Sequence, residues 1–179
     1  MEFKRVSESY IDEAVKLAMI EYGEECNRCP QLIQDDFTNR IRGLITELFK
    51  SQYGMAAFQE GNLIGYLAFW NPCEQFFGVN KGVFSPLGGN AFAGNDRGKL
   101  ASLLFQKIAE ELVEDGVTSI AICRYAHDEE TKQSLIFNGF GIRCSDAIRS
   151  LNIEVKIKSE IEGISFFELA KKIMQLSGI

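Results

Sequence analysis

Gly82-Val83-Phe84-Ser85-Pro86-Leu87-Gly88-Gly89-Asn90-Ala91-Phe92-Ala93-Gly94-Asn95-Asp96-Arg97-Gly98-Lys99-Leu100 is the stretch that decides the fold. Its opening residues, Gly82 to Ser85, have the bulk of a short strand, and Pro86 ends the ladder because it has no N–H to donate. Leu87 to Gly98 is rich in Gly, Asn and Asp, the composition of a loop. From about Lys99 the apolar residues fall at helical spacing: Leu100, Leu103, Leu104, Ile108 and Leu112 share one stripe, and Gly116 is a natural stop. A Gly-rich backbone can curl closely around an anion, and the first free N–H groups of the helix then point at it. Arg97 and Lys99 add cations at that mouth. These are the physics of a phosphate cradle, although the same residues also suit a mobile loop before an ordinary helix start.

Two familiar cradles are excluded. A Walker loop requires Gly, four residues, then Gly-Lys-Ser/Thr, whereas Gly98-Lys99 is followed by Leu100 and Ala93 occupies the first glycine position. A dinucleotide fingerprint requires three glycines at fixed spacing directly after a strand, and here Pro86 separates the strand from the loop.

Upstream, Phe3 to Val6 reads as a strand, followed by a helix start at Ser9 and an apolar stripe of Ile11, Val15, Ala18 and Tyr22 that stops at Gly23. Glu24 to Gln34 is polar, contains Pro30, and reads as a loop. Asp35 or Asp36 caps a second helix through Phe49, with Phe37, Ile41, Leu44, Ile45 and Leu48 facing inward. Tyr53–Glu60 and Leu63–Trp70 are strands around a tight turn at Gly61-Asn62, a hairpin signal. Asn71 to Lys81 connects them to the central strand. Downstream, Val117 to Arg124 is a buried-type strand, Asp128 caps a short helix to about Phe137 that Asn138-Gly139 ends, and Phe140–Ala147 and Ile148–Ile157 complete the sheet. The expected class is α+β, with a mixed, mostly antiparallel central sheet and flanking helices.

The chain has 179 residues, enough for one well-buried domain with an appendage. A net charge of −6 argues against nucleic acid as the main partner, because phosphate backbones need a basic face. No apolar run is long enough to cross a bilayer, and Met1-Glu2-Phe3-Lys4-Arg5 lacks a signal-peptide core, so the expected location is cytoplasmic. The cysteines number five, an odd count; Cys26 and Cys29 form a C-x-x-C after a helix, with a single histidine, His127, elsewhere. Reduced thiols with no metal site fit this pattern better than zinc or redox chemistry.

The element order, the hairpin ending in Gly65-Tyr66-Leu67-Ala68, the long helix after the Gly-rich loop and the closing Asn138-Gly139-Phe140 together resemble the GCN5-related N-acetyltransferases over about residues 1 to 155. Ser-Pro-Leu at 85–87 and His-Asp-Glu-Glu at 127–130 also resemble bacterial members with two such domains in tandem. The resemblance implies the acyl-CoA N-acyltransferase fold. It also implies an acetyl-CoA-dependent acetyltransferase acting on an amine of a small molecule or peptide. It places the pantetheine arm, in a splayed gap, on the backbone of Val83, Phe84 and Ser85. The pyrophosphate falls on Asn95, Asp96, Arg97, Gly98, Lys99 and Leu100, and Asp128 stands where the family often has Asn. The usual Gln/Arg-x-x-Gly-x-Gly/Ala aligns with Asp96 to Ala101, where only the last position matches, and Leu135 occupies the place of the frequent acid tyrosine.

The expected chemistry is attack of a neutral amine on a thioester, which needs a base for the amine and an acid for the leaving thiolate. His127, just past the strand lining the cleft, is the candidate base, Tyr125 the candidate acid, and Glu74 a further candidate base. His127 could instead cap the following helix or simply face solvent, and Tyr125 could equally serve packing. The alternatives are a non-catalytic acyl-CoA-binding domain that has lost its acid, and a structural domain whose loop makes a dimer contact. A boundary is expected at 157, with 158–179 an amphipathic helix. Ser165-Phe166-Phe167-Glu168 has capping-box spacing there, and the helix would pack on a neighbouring subunit or begin a second domain.

Overall fold

Alternating apolar residues on either side of Gly61 build the sheet. In the computed structural model, which describes residues 1–148, β1 (Glu2–Arg5), β2 (Gly54–Gln59) and β3 (Asn62–Ala68) run antiparallel. Glu60 and Gly61 both have positive φ, 52° and 82°, the twist that suits a tight hairpin.

The segment 82–92 forms two strands, β4 (Gly82–Ser85) and β5 (Asn90–Phe92). β5 lies inside the segment expected to be loop. Together they follow the line of β3 and its extension: Trp70 N–H donates to Phe84 O (3.0 Å), Ala68 N–H to Gly89 O (2.9 Å) and Ala93 N–H to Ile64 O (2.8 Å). Pro86 interrupts that line, and the chain recovers through Gly88, with φ of 80°, and Gly89. A Cβ on Gly89 would lie 2.9 Å from both Pro86 Cδ and Ser85 Oγ, so the kink needs glycine there.

β6 (Ser119–Ile122) runs parallel to β4, from Gly82 opposite Ser119 to Ser85 opposite Ile122. The sheets are therefore β1-β2-β3-β5 and β4-β6. The parallel ladder ends where Cys123 N–H donates to Ser85 O (2.8 Å). Beyond that bond β5 stays with β3 while the chain after β6 turns away, leaving a fork.

Helices cover both faces: α1 (Ile11–Arg28), α2 (Thr38–Lys50), α3 (Arg97–Glu114) and α4 (Glu129–Phe137). Val15, Ala18, Ile45, Leu48 and Phe49 pack with Ala56, Tyr66 and Ala68 in one core; Leu100, Leu104, Ile108 and Leu112 pack with Leu67, Phe69, Val83 and Phe92 in the other. This is the α+β class, with a mixed, mostly antiparallel sheet between helices. None of the described helices is long and apolar enough to cross a membrane.

Two expectations are corrected. α1 does not stop at Gly23 but continues to Arg28, so Glu24 and Glu25 are helical rather than loop residues. One interior glycine costs a helix only about 1 kcal/mol, and the ion pairs of the last turns described below offset it. Phe140–Ala147 forms no strand. Phe140 packs edge-on against Phe105, with centroids 5.1 Å apart, and the residues after it are exposed; alternation alone supplies no pairing partner. The strand expected over 148–157, the boundary at 157 and the helix over 158–179 lie, but for Ile148, outside the described residues.

Candidate active site

Antiparallel pairing alternates the direction of backbone groups, so Gly89, Ala91 and Ala93 address β3 while Asn90 and Phe92 turn to the other edge. That edge lines the fork. Two of its backbone groups are engaged. Phe92 N–H donates to Glu21 Oε1 at 2.7 Å, and Asn90 O lies 3.4 Å from Arg124 Nη1. Glu21, on α1, is 1% exposed.

Arg124, just beyond β6, holds the fork together. Its Nη1 donates to Glu21 Oε2 (2.8 Å) and Asn90 Oδ1 (2.8 Å); its Nη2 donates to Glu21 Oε1 (3.0 Å) and to Asp128. The side chain is 8% exposed and its guanidinium lies over the Phe92 ring, 4.8 Å from the centroid. The Asn90 amide donates to Ser85 Oγ (2.8 Å) and Cys123 O (3.2 Å), which ties the base of the fork across the strand break.

A second layer lies outward. Arg97, the first residue of α3, makes a bidentate pair with Glu24 at 2.6 and 2.8 Å. Its hydrogen bonds hold the Glu24 carboxyl below the usual range. His127, 8% exposed, has Nδ1 2.8 Å from Glu25 and Nε2 3.1 Å from Glu24, while its backbone N–H donates to Glu25. Tyr125 stacks near His127, centroids 6.1 Å apart, and burial first, with Glu21 nearby second, pushes its phenol up to about 12.

The structure thus brings His127, Tyr125 and Asp128 to one fork with Arg97. Asp128 also caps α4, accepting from Thr131 N–H at 3.0 Å. Burial pushes its carboxyl up, but the bonds from Thr131 and Arg124 prevail and hold it below the ordinary value. Val83 and Phe84 lie one segment short of the fork and Ser85 at its base, their register taken up by β6. Asn95, Asp96 and Lys99 are exposed around the start of α3; the Asp96 side chain makes no capping bond. Gly98 is buried under α4, where a Cβ would lie 2.8 Å from Glu130 O, and Leu100 is core. Glu74 is exposed beyond the Cys73–Gly82 bridge, at the end of β4 away from the fork. Leu135 is buried.

The residues that sequence reasoning missed are Glu21, Glu24, Glu25, Asn90 and Arg124. Glu21 carried a faint signal, because it lies three residues after Ala18 and six after Val15, near the buried stripe of α1.

No family model matches the chain, and no curated protein matches it by sequence. Solved structures do. A predicted acetyltransferase from Clostridium acetobutylicum, crystallised with acetyl-CoA, aligns over 84% of this chain and 95% of its own, with 12% identity and a TM-score of 0.59. Ribosomal-protein-alanine N-acetyltransferase from Brucella melitensis biovar Abortus aligns over 83% of this chain and 99% of its own, with 13% identity and a TM-score of 0.56. A protein from Bacillus halodurans aligns over 86% of this chain and 100% of its own, with 14% identity and a TM-score of 0.62. The chain has the GCN5-related N-acetyltransferase fold. Carboxylates, an imidazole and a phenol lie beside the fork.

Proposed function

We propose that the chain takes part in acyl-CoA-dependent N-acyl transfer, with acetyl-CoA as donor and an amine of a small molecule or peptide as acceptor. The observation that carries this reading is the fork between β5 and the chain after β6, opening beside the first turn of α3. Acetyl-CoA supplies an activated acyl carbon, from which the amine nitrogen displaces a thiolate. Residues 95–100 would hold the pyrophosphate through the helix start and Lys99. Asn90 and Phe92, with Ser85 at the base of the fork, would meet the arm. His127, with Nδ1 held by Glu25, would take the proton of the amine at Nε2 once Glu24 gives way. Tyr125, stacked near His127, would supply a proton to the thiolate.

A second reading, a non-catalytic acyl-CoA-binding domain, is favoured by Leu135 in place of an acid and by the side chains that fill the fork. Calorimetry with acetyl-CoA followed by acetylation assays on a panel of amines separates the two. Saturable binding with turnover is the expected result. Binding without turnover selects the second reading, and no binding by any variant at millimolar acetyl-CoA sinks both.

A further inference from the structure

We propose that the Glu21–Arg124 ion pair is an autoinhibitory contact, an internal stand-in for an amide of the acyl-CoA arm at the free edge of β5. This rests on the acyl-CoA reading above. An amide docking on a strand edge presents one acceptor and one donor. The edge offers the complement, Phe92 N–H and Asn90 O. Glu21 supplies the acceptor, with Oε1 2.7 Å from Phe92 N, and Arg124 supplies the donor, with Nη1 3.4 Å from Asn90 O and 2.8 Å from Asn90 Oδ1. The carboxylate and guanidinium also bond each other at 2.8 and 3.0 Å, so the pair fills the edge as one unit.

Stability alone does not account for such a pair. Taking both charges out of water costs roughly what their attraction returns, and apolar replacements are often no less stable. The pair also joins two different elements: Glu21 comes from α1, while Arg124 and Asp128 follow β6. Arg97–Glu24 fastens the next turn of the same helix to the start of α3, and His127–Glu25 fastens it to the chain after β6. α1 therefore acts as a latch, and an arm reaches the β5 edge only when Glu21 withdraws. Donor affinity is then reduced by the fraction of molecules with the latch open.

The test compares the whole chain with Glu21→Ala, which leaves Arg124 its partners Asp128 and Asn90. Acetyl-CoA binding is measured by calorimetry, and exchange of the Phe92 amide hydrogen by NMR. The expected result is that Glu21→Ala binds acetyl-CoA about tenfold or more tightly than wild type. Its Phe92 amide should exchange faster without ligand and regain protection with it. Should Glu21→Ala fold poorly, Glu21→Leu with Arg124→Met frees the same edge without leaving a buried charge from the pair. Equal affinity in wild type and variant overturns the latch and leaves the acyl-CoA reading standing. Absence of binding in both, with the Phe92 amide demonstrably open, overturns the two together.

Discussion

Arg124 shows how much one side chain can commit. Two carboxylates, Glu21 and Asp128, meet its guanidinium in the interior, while its Nε is buried without an acceptor among the described residues. Removing the cation strands both carboxylates, and breaking a buried pair from one side costs about 3–5 kcal/mol. Arg124→Leu should therefore lower unfolding stability by about that amount in a urea titration. The double replacement Glu21→Leu with Arg124→Met should cost less than Arg124→Leu alone, because only Asp128 is left without its cation. If the single and double variants are equally destabilised, the charge on Glu21 is not what Arg124 answers. Tyr66 illustrates the opposite case: its hydroxyl is fully buried but needs only one partner, Gly88 O at 2.7 Å, and burial keeps it protonated.

At the scale of elements, the contact that shapes the mouth of the fork is α3 against α4. Gly98 permits it. Ser134 Oγ donates to Gly98 O at 2.6 Å, and Asn138 donates to Ser102 Oγ at 2.8 Å, so the two helices are joined along a polar seam at close range. In Gly98→Ala the new Cβ meets Glu130 O at 2.8 Å, and α4 must move away. Overpacking of this kind costs about 1–3 kcal/mol, which thermal melting would detect as a clear fall in Tm; an unchanged Tm would mean that α4 is loosely held. The helices and the hairpin were legible in the sequence because each depends on local period and on a turn residue, as at Gly61 and Gly116. β5 was not, because Asn90-Ala91-Phe92 looks like loop composition and is a strand only through its pairing with Gly65, Tyr66 and Leu67. The end of α1 was misplaced for a related reason. Gly23 is a local stop signal, and the pairs that carry the helix past it, Glu24 with Arg97 and Glu25 with His127, span 73 and 102 residues of sequence. His127 and Tyr125 could be placed near the cleft by position along β6, but their partners could not, since those come from α1.

For the whole molecule, the acidic surplus has a specific consequence. Part of the net −6 charge is gathered as Glu21, Glu24, Glu25 and Asp128 around Arg97, Arg124 and His127, joining α1, α3 and the β6–α4 connection. Hydrogen bonds from Arg97 lower Glu24 from its ordinary value of 4.5. Those from Thr131 and Arg124, against the opposing push of burial, lower Asp128 from 3.8. A carboxyl whose pKa is lower folded than unfolded binds fewer protons in the native state as pH falls, so folding stability falls with it. The contribution is fully present above the ordinary values and is lost as pH drops through the folded ones. Stability should therefore show no loss from this source above about pH 5 and should decline below it. Every other carboxylate titrates in the same range, so the informative quantity is a difference. Glu24→Gln with Asp128→Asn keeps acceptors for Arg97 and Thr131 while removing both ionisations. Its stability at neutral pH should be lower than wild type, and its melting temperature should fall less steeply between about pH 5 and pH 3, so that the two curves converge in acid. Curves that run parallel over that interval would mean that Glu24 on α1 and Asp128 at the start of α4 do not couple the fork to the stability of the domain.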